Sequence, residues 1–212
     1  MITWGIVVAG GSGQRFGRLK QVELLAGRRV VDWATGSLLE ACEGVVLVVP
    51  EPLAQGFDRG AADLVVAGGK TRSASVRAGM AALGDSVTHV LVHDAARPLA
   101  TNEVCSQVVL ALAGGASAAV PVVPVTDSLR TVDSQCVDRS HYVAVQTPQG
   151  FDLEALRRAH QSGLDATDDA SLFDELGIGV IHVAGDPINM KITNPFDLAM
   201  AEAVLTGHRE YS

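Results

Sequence analysis

Short apolar runs alternate with stretches of helical periodicity along most of the chain. The apolar runs predict strands at residues 2–9, 44–49, 63–66, 88–92, 116–123 and 179–183. The other stretches predict helices at residues 29–41, 71–83, 101–113, 152–161 and 168–176, and a last helix that opens at Asn194-Pro195. Thr101 and Asn194 are suited to cap the helices that follow them. This alternation is typical of an α/β fold with a doubly wound, mostly parallel Rossmann-like sheet.

The alternation stops between residues 125 and 146. Strand-forming residues are interleaved there with charged ones, and the stretch is long for a connection within a compact domain. We therefore expect a protruding β-arm at approximately residues 126–147, carried by a single domain of residues 1–212. The arm has too little apolar content to fold alone, so we expect it to engage a second subunit in a homodimer.

Composition supports a buried sheet and narrows the range of partners. Hydrophobic residues make up 48% of the chain and aromatic residues only 4%, as is typical of helices packed on a parallel sheet rich in Ala, Val and Leu. The formal net charge of -8 argues against a nucleic-acid or an anionic-membrane partner. An anionic ligand must then be held by a few placed cations.

The apolar runs and the cysteines bear on location and on metals. No apolar run approaches the roughly 20 residues that span a bilayer, and the first residues lack the features of a signal peptide. Cys42, Cys105 and Cys136 form no C-x-x-C pair, and the histidines show no metal-binding spacing. We expect a cytoplasmic protein with free thiols, without a disulfide framework or a zinc site.

The first predicted strand runs into the glycine-rich segment A-G-G-S-G-Q-R-F-G, residues 9–17. Such a turn lets backbone N–H groups approach phosphates closely, because no Cβ intervenes. The dinucleotide fingerprint G-x-G-x-x-G fails at Phe16, and the Gly-Lys-Ser/Thr of a P-loop is absent. Arg15 and Lys20 could stabilise charge on a triphosphate beside this turn. A tight turn without a ligand, with two solvated loop cations, is the alternative.

Further motifs follow in order along the chain. The full set is A-G-G-S-G-Q-R, L-K-Q, G-G-K-T-R-S-A-S-V, V-H-D-A-A-R-P, V-D-R, T-P-Q, T-D-D-A-S and K-I-T. Each motif alone is weak, but the ordered set covers essentially the whole chain. On these motifs the chain resembles the 2-C-methyl-D-erythritol 4-phosphate cytidylyltransferases of the non-mevalonate isoprenoid pathway. The resemblance implies a glycosyltransferase-A-like nucleotidyltransferase fold and transfer of CMP from CTP to 2-C-methyl-D-erythritol 4-phosphate, with release of pyrophosphate.

The resemblance also implies a role for each matching position. The catalytic cations would be Arg15, Lys20, Arg139 and Lys191. The nucleotide would be bound by Ala9, Gly10, Gly11, Gly13, Gly69, Lys70, Ser75, Asp94 and Ala95. The acceptor would be contacted by Asp94, Arg97, Ser128, Thr147, Thr167 and Lys191. Arg139 and Thr147 would be arm residues contributed by the partner subunit.

The implied reaction joins two polyanions, CTP and a small sugar-alcohol phosphate, without an activated side-chain nucleophile. The attacking group is a phosphate monoester, whose second pKa of about 6 leaves it largely dianionic near neutrality. Mg²⁺, held mainly by the CTP phosphates, would bridge phosphate oxygens while pyrophosphate leaves in line. Arg97, Arg139 and Lys191 would position the two substrates.

The first motif departs from the usual family pattern, and other functions stay open. Leu19 stands where a proline is usual, and only residues 16–19 separate Arg15 from Lys20. This short loop favours a nucleotide-binding homologue without catalysis. A ribitol 5-phosphate cytidylyltransferase would share fold and chemistry, although the two alanines of H-D-A-A-R-P favour the methylerythritol acceptor. The glycine turn taken alone would also fit a nicotinamide dehydrogenase.

Overall fold

The computed structural model of the protein describes residues 1–10, 19–161, 163, 165–166 and 168–210, the last three as backbone. Its strands are β1 (Thr3–Val8), β2 (Leu24–Leu25), β3 (Arg28–Arg29), β4 (Gly44–Val49), β5 (Leu64–Ala67), β6 (His89–Asp94), β7 (Ala118–Pro124), β8 (Leu129–Arg130), β9 (Cys136–Val137), β10 (Val143–Val145), β11 (Gln149–Asp152) and β12 (Ile181–Ala184). Its helices are α1 (Val30–Gly36), α2 (Glu51–Ala54), α3 (Arg72–Ala81), α4 (Asn102–Ala113), α5 (Leu153–His160), α6 (Ala170–Glu175) and α7 (Pro195–Glu210).

Eight strands form one central sheet. Seven of them follow the order β10-β7-β11-β6-β1-β4-β5, and β12 pairs with β7. β1 is parallel to β4 and to β6, β4 is parallel to β5, and β7 is parallel to β12. β11 runs antiparallel between β6 and β7. The predicted doubly wound, mostly parallel α/β sheet is confirmed.

Helices cover both faces of this sheet, which is why its inner strands are apolar on both sides. β4 is buried at every position. Helices α3, α5 and α6 pack on the face that carries Ile6 and Val46, and α1 and α4 pack on the face that carries Val7 and Val45. A Cβ at Gly79 would come within 2.5 Å of Ile6 Cγ2. The glycine therefore lets α3 run along β1 and begin beside the carboxyl end of that strand.

Helix α7 belongs to a smaller apolar cluster that anchors the segment before it. Leu25, Val30, Leu99 and Ala201 surround Ile192, whose side chain is fully buried. Ile192 therefore fixes the chain next to Lys191. None of the helices in the described ranges is long and apolar enough to cross a membrane.

Both predicted caps are confirmed. The Val104 N–H donates to Thr101 Oγ1 at 3.4 Å, and α4 begins at the next residue, Asn102. The Phe196 N–H donates to Asn194 Oδ1 at 2.9 Å, at the start of α7. Side-chain acceptors of this kind satisfy backbone donors that have no partner within the helix.

Several elements differ from the predicted ones. α1 ends at Gly36, although the prediction continued to residue 41, and the chain goes on in turns. Gly36 and Ser37 both have low helix propensity, which accounts for the early end. The antiparallel strand β11, the short helix α2 and the β2–β3 hairpin were not predicted.

The region predicted as an arm has two parts. β8 and β9 pair only with each other, through Leu129–Val137 and Arg130–Cys136. β10 instead pairs with β7, so residues 143–145 belong to the edge of the central sheet. Four large apolar side chains of this region are exposed: Val132, Tyr142, Val143 and Val145.

Candidate active site

A cavity of about 400 Å³ opens at the carboxyl ends of β1 and β6. The chain leaves β1 toward β4 on one side and returns to β6 on the other, so the cavity lies where the winding direction changes. Ligands of open α/β sheets bind at this kind of switch point. Its lining residues are Val8, Ala9, Gly10, Lys20, Gln21, Lys70, Thr71, Arg72, Ser75, Asp94, Ala95, Ala96 and Lys191.

Positive charge is concentrated at this cavity. All three lysines of the chain, Lys20, Lys70 and Lys191, line it together with Arg72. Asp94 is the one carboxylate among the described lining residues. The protein as a whole carries a net charge of -8, so the excess of cations is local. A site of this sign selects an anionic ligand.

Asp94 is the centre of the ion pairs at the cavity. Lys191 Nζ donates to Asp94 Oδ2 at 2.5 Å, and Arg72 Nε donates to Asp94 Oδ1 at 3.2 Å. Burial alone would raise the pKa of Asp94, but the charges of Arg72 and Lys191 outweigh burial and hold the pKa below its usual range. Asp94 is therefore a carboxylate at neutral pH, and both of its oxygens are engaged by cations.

Arg72 extends this network into the interior. Its Nη1 donates to Asp169 Oδ2 at 2.5 Å, and Asp169 Oδ1 lies 3.0 Å from His160 Nε2. Asp169 is fully buried. Burial would lower the pKa of Arg72, but Asp169 and Asp94 together raise it above its usual value. A chain of alternating charge thus runs from Lys191 through Asp94 and Arg72 to Asp169.

Lys20 and Gln21 tie the start of the glycine-rich segment to the rest of the site. Lys20 Nζ donates to the Ile192 carbonyl at 2.7 Å, directly beside Lys191. Gln21 Nε2 donates to the Ala9 carbonyl at 2.9 Å, at the end of β1. The two predicted catalytic lysines therefore lie on adjoining segments of one cavity.

The backbone approaches the first turn of α3 very closely. A Cβ at Gly10 would come within 2.9 Å of Ser75 Oγ, which itself donates to the Thr71 carbonyl at 3.0 Å. Gly69 lies in the loop before α3, next to Lys70 of the lining. Helix α3 begins at the cavity, and a helix N-terminus favours an anion.

Thr147 lies in a position that contradicts its predicted contribution from a partner subunit. It is only 5% exposed, and its Oγ1 accepts the Asp94 N–H of its own subunit at 3.0 Å. Its Oγ1 is also 2.9 Å from His93 Nδ1. Residues 146–148 separate β10 from β11, and this break turns Thr147 inward beneath Asp94. Thr147 belongs to the interior beside its own cavity, not to an arm surface.

Arg97 lies behind the cavity. Its Nη1 donates to the Asn189 carbonyl at 2.7 Å and its Nη2 to the Val145 carbonyl at 3.1 Å. Burial lowers the pKa of the Arg97 guanidinium. Because these bonds are made to backbone carbonyls, Arg97 joins the end of β6 to the end of β10 and to the segment before Lys191.

Two predicted site residues, one catalytic and one for the acceptor, lie on the arm, away from the cavity lining. Ser128 and Arg139 are both exposed. Arg139 Nη1 contacts the Thr126 carbonyl on the same arm. Within one subunit, the structure brings Ala9, Gly10, Lys20, Lys70, Ser75, Asp94, Ala95 and Lys191 together and leaves these two outside. Gly11, Gly13, Arg15 and Thr167 lie outside the described residues.

Sequence reasoning assigned no role to four residues that shape the site. Arg72 and Asp169 lie inside quoted motifs, but nothing in the sequence shows that they pair across 97 residues. Gln21 and His93 also lie inside motifs and are buried polar side chains. The sequence indicated only that these four residues belong to motifs, and motif membership alone does not distinguish a site residue from its neighbours.

The arrangement suits electrostatic catalysis on phosphates. Fixed cations surround a cavity next to a close backbone approach, and such groups stabilise charge that develops in a transition state. Asp94 is held by two cations and is poorly placed to act as a general base. Among the described residues no group of three or more His, Cys, Asp or Glu could hold a metal ion.

Comparison with known proteins identifies the family of the chain. The family model for 2-C-methyl-D-erythritol 4-phosphate cytidylyltransferase matches residues 3–207. The enzyme of that name from Rhodococcus jostii is 43% identical over an alignment of 213 positions, which covers 94% of this chain and 93% of that protein. The Prochlorococcus marinus enzyme of that name is 40% identical over an alignment of 223 positions, which covers 94% of this chain and 96% of that protein.

A solved structure extends the similarity to the fold. The crystal structure of 2-C-methyl-D-erythritol 4-phosphate cytidylyltransferase from Thermus thermophilus superposes with a TM-score of 0.83 at 35% identity. The superposition covers 96% of this chain and 98% of that one. The similarity therefore extends over nearly the whole length of both chains. The chain belongs to the 2-C-methyl-D-erythritol 4-phosphate cytidylyltransferase family.

Proposed function

We propose that this protein transfers the cytidylyl group of CTP to the phosphate of 2-C-methyl-D-erythritol 4-phosphate and releases pyrophosphate. The observation that carries the proposal is the convergence of Lys20, Lys70, Arg72 and Lys191 on one cavity beside Gly10. A triphosphate and a second phosphate repel each other, and a local group of cations offsets that repulsion. The reaction needs such a group more than it needs a general base.

The two ends of the cavity would serve the two substrates. The Ala9–Gly10 backbone, Ser75 and Lys70 would bind the nucleotide, and Lys20 would stabilise charge at the α-phosphate, together with Arg15. Lys191 would leave Asp94 to hold the acceptor phosphate near the reacting phosphorus. The acceptor phosphate attacks as a dianion, because its second pKa is about 6. Phosphoryl chemistry of this kind depends mainly on positioning and charge neutralisation.

Mg²⁺ belongs to the proposal. Magnesium usually binds through substrate phosphates and one or two carboxylates, and Asp94 is the carboxylate that the described lining offers. Because Asp94 already bonds Lys191 and Arg72, the ion would be held mainly by phosphate oxygens of CTP. When bound, it would neutralise charge on the triphosphate and on the departing pyrophosphate.

The proposal includes a homodimer formed through the arm, and a cytoplasmic location. The exposed apolar side chains of the arm support the dimer, since an arm of this kind needs cover. Arg139 would then reach the site of the second subunit as a cation for the acceptor, and Ser128 would contact the acceptor. The three free cysteines and the use of CTP support the location.

Pyrophosphate release from purified protein, CTP and Mg²⁺ tests the function, with 2-C-methyl-D-erythritol 4-phosphate and ribitol 5-phosphate as parallel acceptors. We expect release with the first acceptor and little with the second. Release with ribitol 5-phosphate but not with 2-C-methyl-D-erythritol 4-phosphate would show that the proposed acceptor is wrong and that cytidylyl transfer is right. Binding of CTP without release for either acceptor would contradict the proposal and leave a nucleotide-binding homologue.

A further inference from the structure

His93 is the one fully buried histidine among the described residues. It is the second-to-last residue of β6, and its side chain points away from the face that carries Asp94 because neighbours along a strand alternate. His93 Nδ1 lies 2.9 Å from Thr147 Oγ1, and His93 Nε2 lies 3.0 Å from the Arg97 carbonyl oxygen. Both ring nitrogens therefore have one partner each.

These partners determine which nitrogen of His93 carries the proton. A carbonyl oxygen can only accept, so Nε2 must donate to Arg97. Burial lowers the pKa of His93 to about 4, so the ring is neutral near pH 7 and Nδ1 is an acceptor. The Thr147 hydroxyl then donates to Nδ1 while its oxygen accepts the Asp94 N–H at 3.0 Å. The hydrogen bonds from the Arg97 carbonyl through His93 and Thr147 to the Asp94 N–H thus form one row, in which every donor and acceptor is assigned.

This row of hydrogen bonds holds both ends of the turn at residues 94–97, which places Asp94 at the cavity. The turn is closed by the Arg97 N–H, which donates to the Asp94 carbonyl at 2.9 Å. Thr147 holds its first residue and His93 holds the carbonyl of its last. Between them, the Ala96 carbonyl accepts the Ile192 N–H at 2.8 Å, next to Lys191. Both members of the Lys191–Asp94 ion pair are thus supported by this turn.

We propose that His93, as the Nε2–H tautomer, is a positioning residue that fixes Asp94 and, through the Ala96–Ile192 bond, Lys191. The inference rests on the proposed function, because it assigns His93 to the same site. His93 is not among the residues that line the cavity. It acts through Thr147 and the Arg97 carbonyl, so its loss should disturb the acceptor side of the site more than the nucleotide side.

Conservative variants separate the two contacts of His93. His93→Asn keeps an amide near the Nδ1 position and loses the donor to Arg97, whereas His93→Gln keeps a donor near Nε2 and loses the contact with Thr147. We expect each to lower kcat about tenfold, since each leaves a buried polar group without its partner. The KM for CTP should stay within about threefold, because the Gly10–Ser75 contact is untouched.

Thr147 provides a test from the other side of the same hydrogen bond. Thr147→Val removes the hydroxyl at nearly constant shape, and we expect kcat to fall about tenfold or more, whereas Thr147→Ser should stay within about twofold of wild type. The double variant His93→Gln/Thr147→Val should be no worse than its worse parent by more than about twofold, because both break one bond. If the double variant instead lost kcat by the product of the two single losses, the two residues would act independently, which would contradict a shared hydrogen bond.

Thr35→Val is the matched control. Thr35 is 1% exposed, and its Oγ1 donates to the Val31 carbonyl at 2.9 Å within α1. The substitution removes a buried hydroxyl bond of the same kind, so it reports the effect of lost stability alone. Its kcat per folded protein should match wild type. An equal loss of kcat in Thr35→Val and Thr147→Val would overturn the positioning role.

The outcomes distinguish this inference from the proposed function. Wild-type protein without pyrophosphate release refutes the function, whereas active wild type with fully active His93 and Thr147 variants refutes only the inference. If the His93 variants do not fold, the Thr147→Val and Thr147→Ser pair decides. Nitrogen NMR of the wild-type histidines adds a readout independent of activity: we expect a buried neutral ring protonated at Nε2, and protonation at Nδ1 would overturn the assignment.

Discussion

The cavity and the arm hold their charged groups in opposite ways. At the cavity and in the interior behind it, the side chains of Asp94 and Asp169 are 12% and 0% exposed, and each bonds two basic side chains of the same subunit. On the arm, Arg139 and Ser128 are exposed, and Arg139 contacts a backbone carbonyl of the arm itself. One region is organised before a ligand arrives, and the other depends on whatever covers it.

This difference sets the size of the effects expected from substitution. In a buried network, removal of one member leaves its partner desolvated without compensation, which is costly. An exposed charge on an arm is solvated with or without its contact, so its loss costs little within one subunit. Substitutions at the cavity should therefore have large effects, and those on the arm should matter only through a second subunit.

The largest loss of activity is expected from Lys20→Ala and Lys191→Ala. Each should lower kcat/KM by about a hundredfold to a thousandfold, as removal of one stabiliser of transition-state charge does. The measurement is steady-state pyrophosphate release with 2-C-methyl-D-erythritol 4-phosphate as the acceptor. Arg157→Ala is the control, because Arg157 is an exposed cation of α5 whose ion-pair partner, Glu154, is 3.8 Å away. A loss for Lys20→Ala no larger than for Arg157→Ala would contradict the assignment.

Asp169→Asn should have the largest effect on stability. It removes the buried carboxylate that pairs with the Arg72 guanidinium, and breaking a buried ion pair costs about 3 kcal/mol of unfolding free energy. Urea unfolding of wild type and variant measures the difference. Glu154→Gln removes a carboxylate from an exposed pair and should cost about 0–1 kcal/mol. Equal costs for the two variants would mean that the Arg72–Asp169 pair adds no stability.

A smaller effect is expected from acid. Burial lowers the pKa of His93 to about 4, so the unfolded chain binds this proton more readily than the folded protein. The free energy of unfolding therefore falls as the pH falls from about 6.5 toward 4, by up to about 1.4 kcal/mol per pH unit, because protonation of His93 favours the unfolded chain. Between about pH 7 and about pH 5, wild type should lose about 2 kcal/mol more than His93→Asn in urea unfolding. Equal losses of unfolding free energy in wild type and His93→Asn would show that protonation of His93 does not destabilise the folded protein over this range.

The smallest effects are expected on the arm. Arg139→Ala should raise the KM for the acceptor about tenfold through loss of a charged contact across the dimer, and Ser128→Ala about threefold. Arg130→Ala is the matched control, because Arg130 lies on the same arm and donates to the Ser134 carbonyl at 2.7 Å. Equal KM values for the Arg139 and Arg130 variants would mean that the arm does not reach a second site.

Strands were predictable where burial on both faces produced continuous apolar runs. β4 matches its predicted bounds, because a short, unbroken run of apolar residues between Gly44 and Pro50 predicts a buried strand. β11 was missed because it has four residues, and its place between β6 and β7 depends on tertiary packing. Helix ends were less predictable where propensity and periodicity disagreed, as after Gly36.

The site was predictable as a set of motifs but not as a network. Motif order indicated that Lys20, Asp94 and Lys191 share one function. It did not indicate that Lys191 would pair with Asp94 across 97 residues, or that Thr147 would lie inside its own subunit. Such pairings depend on which strand ends meet, which local sequence does not encode. The role of the exposed arm residues depends on a second subunit and stays a prediction.

The fate of the α-phosphorus of CTP tests the central claim most directly. CTP radiolabelled at the α-phosphorus, or separately at the γ-phosphorus, would be incubated with the protein, Mg²⁺ and 2-C-methyl-D-erythritol 4-phosphate, and the products separated. We predict the α-label in the cytidylylated acceptor and the γ-label in pyrophosphate, with both products formed at least about a hundredfold more slowly by Lys20→Ala. A γ-label on the acceptor, or an α-label in free CMP with the acceptor unchanged, would contradict cytidylyl transfer at this cavity.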